Sequence, residues 1–368
     1  MRSLKVHLKE NSYQILIGNH ILGRLGKYLK TLNLPTDALV ITNPLIHKLH
    51  GRTLVSGLEN NGFTTKIFCV PDGEKSKSAE IAFSLLNKIA SYDAGRKIFI
   101  IAFGGGVVGD LAGFVASCYK RGIPYVQVPT TLLAQIDSAI GGKTGIDLPS
   151  GKNLVGTFYQ PKLVLSDVWL LTTLSLRQIQ NGLSEAIKYG MIADKHFFEF
   201  LEKNHKQLLS LDSKSLTYLV LKCAGMKADV VRRDEKETKG IRTILNFGHT
   251  LGHAIEAASR YSQYKHGEAI AIGMGMAADI SWKMGLLKKE DVVRLKQLIS
   301  STGLPVQLKG LSVDRVLKMM KHDKKFVGRT NRFVLACGIG RVKVVEGVPL
   351  GMITQAITSN AFLLQSSK

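Results

Sequence analysis

Three histidines lie close together between residues 246 and 268, in the stretch NFGHTLGHAIEAASRYSQYKHGE. His249 and His253 are four positions apart, so a helix would place both side chains on one face, one turn apart. Glu256 follows on the same face, and His266 stands directly before a glycine-rich apolar segment. Neutral imidazoles together with carboxylates are the ligands that zinc-like divalent cations select. The stretch therefore predicts a metal site, although the spacing leaves open which three groups bind the ion.

A glycine-rich turn follows KIFIIAF at 97–103, which is the most clearly apolar strand predicted in the chain. Gly104, Gly106 and Gly109 satisfy the pattern GxGxxG between a strand and a helix. Glycines there allow a tight turn and let a pyrophosphate reach backbone N–H groups at the start of the helix. The acidic residue usual about twenty positions later is missing, because the next strand ends in Pro-Thr-Thr. We expect a nucleotide-phosphate loop of a different design, with a tight packing turn as the alternative.

Two further patterns place charged side chains beside small or apolar residues. Lys143 and Lys152 each follow glycine, and we expect two loops that offer backbone amides and a cation to phosphate or carboxylate groups. Solvated lysines on flexible loops are the alternative. Glu185 and Lys188 are three positions apart on one face of a predicted helix, between apolar neighbours. A half-buried Glu185 would need a cation or a metal, whereas an exposed pair would be a weak surface ion pair.

The elements that position these residues alternate between strands and helices in the first half of the chain, which predicts a parallel sheet with helices on both faces. From about residue 175 the strand signals fade and helical periodicity continues almost to residue 322, followed by a small late hairpin. The predicted fold is a mostly parallel, Rossmann-like α/β domain over 1–175, followed by an all-α, metal- and substrate-binding domain over 176–368. The predicted strands cover 4–8, 13–18, 38–43, 66–70, 97–103 and 162–167, and the predicted helices 44–60, 79–92, 215–233, 267–285, 289–301 and 312–321.

The composition is that of an ordinary globular protein, with 45% hydrophobic and 21% charged residues in a chain of 368. No apolar run is long enough to span a bilayer, and the first residues lack the apolar region of a signal peptide. The four cysteines are widely scattered, which favours reduced thiols over a disulfide framework. We therefore expect a cytoplasmic protein without a membrane partner.

The formal net charge of +22 raises nucleic-acid binding as a further hypothesis. The lysines and arginines are spread over the whole chain, and the aromatic residues, 7% of the total, are not interleaved with them in a stacking motif. We therefore expect an anionic small substrate and no nucleic-acid partner. The size of the positive charge has no explanation in the sequence.

Several long and chemically unusual stretches together resemble the 3-dehydroquinate synthase family of sugar phosphate cyclases. They occur in the family's order from about residue 71 to 325. They are PDGEKSKS, GGGVVGDLAGF, YKRGIPYVQVPTTLLAQIDSAIGGKTGID, GKNLVGTFYQP, GLSEAIKYG, NFGHTLGHAIE, KHGEAIAIGM and HDKK.

The resemblance implies an NAD-binding α/β domain, a helical domain that holds zinc (with cobalt as a substitute metal), and an active site between them. The implied reaction converts 3-deoxy-D-arabino-heptulosonate 7-phosphate to 3-dehydroquinate and phosphate in the shikimate pathway, on the way to chorismate and the aromatic amino acids. NAD would be consumed and regenerated within each turnover. A homodimer is also implied, because Arg121 is similar to a family arginine that reaches a neighbouring subunit's site.

The same resemblance assigns roles to individual residues. Zinc would be bound by Glu185, His249 and His266, so that His253 becomes a hydrogen-bonding residue of the active site instead of a ligand. Lys143 and Lys152 would lie where cofactor and substrate meet. The residues implied to contact NAD are Asp72, Gly73, Glu74, Lys77, Gly105, Gly106, Asp110, Thr130 and Thr131. The residues implied to bind substrate are Asp137, Asn153, Lys188, Lys227, Arg242, Asn246, His253 and Lys324.

Two other enzyme classes remain open at this point. Another sugar phosphate cyclase, acting on sedoheptulose 7-phosphate or an amino analogue, would share fold, zinc and NAD and would differ where the substrate carboxylate is held. The presence of Lys227, Arg242 and Asn246 favours an acidic substrate. A metal-dependent alcohol dehydrogenase of related architecture would release NADH and would not need so many anion-binding side chains.

Overall fold

The structure is a computed structural model that describes residues 1–260, 262–321 and 331–361. Its internal contacts form two compact units. Unit 1 comprises Met1–Ser175 and Leu211–Thr238, and unit 2 comprises Leu176–Ser210 and the described residues from Lys239 onward. The domain division at 175/176 drawn from the sequence stays a prediction, and the segment Leu211–Thr238 is grouped with the first unit by its contacts.

The elements are numbered in chain order. The strands are β1 (Arg2–Val6), β2 (Tyr13–Gly18), β3 (Asp37–Thr42), β4 (Thr64–Cys69), β5 (Ile98–Gly104), β6 (Tyr125–Pro129), β7 (Lys143–Leu148), β8 (Gly151–Phe158), β9 (Leu163–Asp167), β10 (Arg332–Gly338) and β11 (Arg341–Glu346). The α-helices are α1 (Leu25–Leu29), α2 (Pro44–Glu59), α3 (Ala79–Tyr92), α4 (Gly106–Cys118), α5 (Leu176–Ala193), α6 (Lys195–Leu209), α7 (Ser213–Arg233), α8 (His249–Ala258), α9 (His266–Lys283), α10 (Lys289–Ser301), α11 (Val313–Lys321) and α12 (Leu350–Asn360).

Unit 1 is built on a sheet whose described strands run in the order β1-β2-β9-β6-β5-β3-β4. Only β1 and β2 pair antiparallel, and every other neighbouring pair is parallel. Alternate residues of the central strands enter two separate apolar clusters: Val40 and Ile101 on one face, Leu39 and Ile100 on the other. Both faces are therefore covered, which confirms the predicted mostly parallel α/β fold.

Two helices of unit 1, α2 and α3, begin where the sequence offers a side-chain cap. Asn43 accepts a hydrogen bond from the backbone N–H of Ile46, and Pro44 stands in the first turn of α2. Ser78 caps α3 in the same way, accepting from the N–H of Ile81. These local signals explain why the predicted starts of both helices agree with the structure to within a residue.

The stretch with the two Gly-Lys pairs was expected to form two loops, and this expectation is wrong. Lys143 begins β7 and Lys152 lies in β8, which pairs with β7 in an antiparallel hairpin. Gly145 lies opposite Gly156, and a Cβ at Gly156 would lie 2.2 Å from the carbonyl oxygen of Thr144. The glycines are needed for this close approach of two backbones, and glycine otherwise argues against a strand.

Unit 2 is mainly helical, as predicted, and its described part also contains the late hairpin, in which β10 pairs antiparallel with β11. The hairpin is the exception to the predicted all-α composition. Its Phe333 and Leu335 are buried with Ile255 of α8 and with Ile272 and Met276 of α9. Within the described residues, no helix is both long and apolar enough to cross a bilayer.

Candidate active site

Glycines, which lack a Cβ, allow three helices of unit 2 to approach closely where the predicted metal ligands lie. A Cβ at Gly273 of α9 would be 2.2 Å from the carbonyl oxygen of Gly248, directly before α8. A Cβ at Gly267 would be 2.4 Å from the carbonyl oxygen of Asn181 on α5. Any larger residue at either position would push the helices apart. These glycines thus bring the start of α8 against α9, and the start of α9 against α5.

This packing brings Glu185, His249 and His266 together. His249 and His266 are the first residues of α8 and α9, and Glu185 lies within α5. The Nε2 atoms of His249 and His266 lie 3.5 Å and 3.4 Å from Oε1 of Glu185. One ligand atom from each of the three residues lies within 4.8 Å of the other two. Two imidazole nitrogens and a carboxylate oxygen at this separation are a donor set that suits zinc and leaves positions for substrate oxygens.

The ring of His249 is held with Nε2 toward Glu185. Its Nδ1 lies 3.1 Å from the carbonyl oxygen of Phe247. A carbonyl oxygen only accepts, so Nδ1 carries the hydrogen and Nε2 keeps its lone pair. Burial lowers the pKa of His249 well below its ordinary value, which also keeps the ring neutral. Both effects prepare this nitrogen for a metal.

The charges of the cluster set the protonation of Glu185 and His266. Burial alone would raise the pKa of the Glu185 carboxyl, but the positive charges of Lys188 and His266 hold it well below its usual range. Burial would lower the pKa of His266, but the nearby carboxylates of Glu185 and Glu256 raise it to about 10. A metal at Nε2 takes the place of a proton on that nitrogen. The residues therefore fit a divalent cation.

Glu185 is more deeply buried than its sequence neighbours predict. Its side chain is 1% exposed and forms an ion pair with Lys188, which is 2% exposed. The weak surface ion pair considered for these residues is therefore excluded. His253 lies on α8 with its ring centroid 5.3 Å from that of His249 and 6.2 Å from that of His266. It is thus beside the three converging groups, and its Nε2 or Nδ1 also lies within 4.8 Å of Glu256 and His266.

Two other predicted substrate residues precede α8 in unit 2. Arg242 and Asn246 lie in a short 3-10 helix, Ile241–Asn246, directly before the turn that begins α8. Arg242 is 1% exposed, which is rare for arginine. Lys324 lies outside the described residues.

The glycine turn of unit 1 has the strand–turn–helix setting that the sequence predicted. β5 ends at Gly104 and α4 begins at Gly106, with Gly105 as an N-cap that has no side chain to satisfy the first N–H groups. Gly105 has a φ of −74°, so it is not required for a left-handed conformation. Space is the reason instead: a Cβ at Gly106 would lie 2.9 Å from Oγ of Ser138, and one at Gly105 would lie 3.1 Å from Thr131.

Predicted cofactor residues surround the same turn. The Nζ of Lys77 lies 2.8 Å from Oδ2 of Asp110 in the second turn of α4, and Lys77 is only 4% exposed. Lys77 also donates to Oδ1 of Asn153, at 2.5 Å, which brings a predicted substrate residue into the predicted cofactor set. Burial raises the pKa of Asp110 to about 6, although Lys77 opposes the shift. Asp72 accepts a hydrogen bond from Asn43, and the next residue, Gly73, has a φ of +87° that favours glycine.

The remaining lysines of the predicted set in unit 1 are each paired with an acid. Lys227 of α7 lies 2.6 Å from Asp137, so two predicted substrate residues meet. Lys152 lies 3.3 Å from Glu74, which joins two predicted cofactor residues. Lys143 lies 2.5 Å from Glu237. Glu237 was missed, because in the charged stretch DEKETKGIR nothing distinguishes a contact from simple solvation.

Two predicted residues lie apart from these pairs. Thr130 follows β6 and is 1% exposed, with a backbone N–H that donates to the carbonyl of Gly104. Arg121 is exposed in the loop between α4 and β6, where Lys120, Arg121 and Gly122 all have positive φ. Strained, non-glycine positions of this kind are often functional.

Comparisons with known proteins agree on one family. Models described as the N-terminal and C-terminal parts of 3-dehydroquinate synthase match residues 67–181 and 182–326. A 3-dehydroquinate synthase of Desulforamulus reducens is 44% identical over 349 residues, which is 95% of this chain and 97% of that protein.

Solved structures of two other cyclases are similar over almost the whole chain. A 2-deoxy-scyllo-inosose synthase, complexed with carbaglucose-6-phosphate, NAD+ and Co2+, has a TM-score of 0.89 and 27% identity over 98% of this chain and all of that chain. A 2-epi-5-epi-valiolone synthase from Streptomyces hygroscopicus with NAD+ and Zn2+ bound has a TM-score of 0.86 and 26% identity over 96% of this chain and 98% of that chain.

Proposed function

The chain belongs to the 3-dehydroquinate synthase family, and we propose that it converts 3-deoxy-D-arabino-heptulosonate 7-phosphate to 3-dehydroquinate and inorganic phosphate. It is an enzyme of the sugar phosphate cyclase type. The observation that carries the proposal is the convergence of Glu185, His249 and His266 in a chain whose other unit presents a glycine turn for a dinucleotide. NAD and zinc are the cofactors, with cobalt as a substitute, and two related cyclases have been solved with NAD+ and one of these metals.

Glu185, His249 and His266 hold the metal. When bound, the cation supplies Lewis-acid polarisation of substrate oxygens. Glu185 contributes a negative charge to the set, and the carbonyl of Phe247 orients His249. Lys188, buried against Glu185, keeps a positive charge beside this centre and serves to bind an anionic group of the substrate.

The glycine turn and the loop around Lys77 bind the dinucleotide. When bound, NAD would supply a reversible hydride acceptor for the substrate. Gly105 and Gly106 leave room for the pyrophosphate at the N–H groups that open α4. Lys77 and Asp110 form a fixed ion pair beside that turn, and Glu74 and Lys152 form a second one. Asp72, Gly73, Thr130 and Thr131 complete the set, with Lys143 between cofactor and substrate.

The substrate side chains hold a flexible seven-carbon acid in one orientation. Their charges match a phosphate and a carboxylate, and Lys227 is itself positioned by Asp137. In the substrate, oxidation of a hydroxyl to a ketone acidifies the adjacent C–H, so that phosphate can leave and itself accept that proton. Reduction, ring opening and an intramolecular aldol reaction then close the carbocycle. The residues proposed to bind substrate are Asp137, Asn153, Lys188, Lys227, Arg242, Asn246, His253 and Lys324.

We also propose that the enzyme is a cytoplasmic homodimer. The cysteines of the chain are free thiols in the structure, which suits a reducing compartment. Arg121, exposed and backbone-strained, is the residue proposed to reach the partner's site. Light scattering of the purified protein measures the subunit number. A monomer at the concentrations used in activity assays would contradict this part of the proposal.

The test of the proposed reaction supplies 3-deoxy-D-arabino-heptulosonate 7-phosphate with zinc and a catalytic amount of NAD. We expect phosphate and 3-dehydroquinate in equal amounts and no net NADH. Accumulation of NADH in step with substrate consumption would instead identify a dehydrogenase. Turnover of sedoheptulose 7-phosphate but not of the heptulosonate phosphate would identify another cyclase. Retention of activity after removal of bound metal by a chelator would contradict the metal centre.

A further inference from the structure

We propose that Glu256 is a positioning residue that fixes the tautomer and the ring orientation of His266 for metal binding. The inference rests on the proposed function, because it concerns the metal centre of that enzyme. Glu256 is not one of the three proposed ligands, and the resemblance to the family assigned it no role.

The ring of His266 has a carboxylate at each nitrogen. Nε2 lies 3.4 Å from Oε1 of Glu185, among the proposed ligand atoms, and Nδ1 lies 3.3 Å from Oε2 of Glu256. A hydrogen on Nδ1 donates to Glu256 and leaves the lone pair on Nε2 for the metal. The carboxylate therefore selects the tautomer that can bind the ion.

The position of Glu256 follows from helix geometry. It lies seven residues after His249 on α8, which is two turns, so both side chains point from the same helix face. Its side chain is 12% exposed, and water therefore competes little for the hydrogen bond to the imidazole. The two ligand histidines are oriented by different groups: a backbone carbonyl for His249 and a carboxylate for His266.

This carboxylate changes the strength of the ligand as well as its direction. An acceptor with a full negative charge draws the Nδ1 hydrogen and raises the electron density at Nε2. Loss of such a partner weakens metal binding by about 10- to 100-fold in other metal sites. We expect an effect of that size here.

A second cation is the competing interpretation, since one ligand atom each from His253, Glu256 and His266 lies within 4.8 Å of the others. Two ions bound at once would need lone pairs on both nitrogens of His266, and hence an imidazolate. A hydrogen bond needs no such ionisation. The measured number of zinc ions per chain separates the two interpretations.

The experiment measures zinc affinity and stoichiometry of the full chain by competition with a calibrated chelator, in wild type, Glu256→Ala and Glu256→Gln. Glu268→Gln is the matched control. Glu268, in the first turn of α9, is likewise an acid close to His266 in the sequence, but it pairs with Arg177 and caps the helix through the N–H of Lys265. Thermal unfolding of each metal-free variant shows that the fold is retained, and Co2+ absorption spectra report the ligand geometry.

We expect one zinc per chain, a 10- to 100-fold weaker affinity in Glu256→Ala and a smaller loss in Glu256→Gln, whose amide oxygen still accepts from Nδ1–H. Glu268→Gln should bind zinc as the wild type does. Equal affinity in wild type and Glu256→Ala, an equal loss in Glu268→Gln, or two zinc ions per chain would overturn the inference while leaving the proposed reaction intact. A wild-type chain that binds no zinc would overturn the metal centre itself, and the inference with it.

Discussion

The buried pair Glu185–Lys188 allows the metal-ligand role of Glu185 to be separated from its structural role. We consider two variants, Glu185→Ala and the double variant Glu185→Ala/Lys188→Met. In the wild type both side chains are almost fully buried and form an ion pair. Removal of the carboxylate alone leaves the lysine without this partner, whereas the double variant removes both charges from the interior.

The expected magnitudes follow from burial. Removal of one member of a buried ion pair costs roughly 3 kcal/mol of unfolding free energy, because a charge stays in a low-dielectric interior. Replacement of both members by apolar groups of similar volume is often neutral or stabilising. We therefore expect the unfolding free energy of the metal-free protein to fall by roughly 3 kcal/mol in Glu185→Ala and to recover largely in the double variant.

Zinc binding should behave differently from stability. Both variants lack the carboxylate ligand, so neither should retain stoichiometric zinc after dialysis against a zinc-buffered solution, and both should lose activity. Denaturant unfolding in the presence of chelator gives the stability, and elemental analysis gives the metal content. Lys188→Met alone is the control, since it keeps the ligand.

Two results would refute this reasoning. Stoichiometric zinc in either variant that lacks Glu185 would show that this carboxylate is not a ligand. A double variant as unstable as Glu185→Ala would show that the cost lies in lost packing and not in the buried lysine charge.

Three further predictions concern the scaffold. Asp167→Ala should lose at least about 4 kcal/mol of unfolding free energy, because the buried carboxylate accepts hydrogen bonds from the N–H groups of residues 20, 21, 22 and 169. Burial lowers the pKa of His50, so the unfolded chain takes up a proton at a higher pH than the folded chain does. The contribution of His50 to stability should be complete above pH 6.5 and should fall below that pH, by at most about 1.4 kcal/mol per pH unit. In His50→Gln the unfolding free energy should fall less over the same pH range. Gly273→Ala should cost about 1–3 kcal/mol and weaken zinc binding, because its Cβ would lie 2.2 Å from the carbonyl oxygen of Gly248.

Matched variants check each of these predictions. Asp167→Asn keeps one acceptor oxygen and should lose less stability than the alanine variant; an equal loss would contradict the hydrogen-bond argument. His47→Gln, at an exposed position of the same helix, should leave the pH dependence unchanged, and the prediction is wrong if His50→Gln does so too. Gly275→Ala places its Cβ 3.5 Å from the side chain of Lys296, an ordinary van der Waals contact, and should be tolerated; equal effects at Gly273 and Gly275 would contradict the backbone clash.

The sequence predicted most of the elements because their signals are local. The buried strands read as continuous apolar runs, and Asn43-Pro44 and Ser78 mark helix starts that the structure confirms. The hairpin β7–β8 escaped prediction because its pairing depends on the contact of Gly145 with Gly156, and glycine carries no strand signal.

The candidate site shows the same division between what local sequence signals determine and what depends on tertiary contacts. The sequence alone determined which chemistry was available: two histidines at helical spacing with a carboxylate, a third histidine before the next helix, and glycines between a strand and a helix. The resemblance to the family implied that Glu185 joins His249 and His266, but helical spacing did not. Only the tertiary structure decided through which atoms the three meet, and that Glu256 lies on the other nitrogen of His266. Spacing along a helix specifies which side chains share a face. Close packing at Gly248, Gly267 and Gly273 sets which groups converge across helices and through which atoms. Such packing is the sum of many weak contacts between residues far apart in the chain.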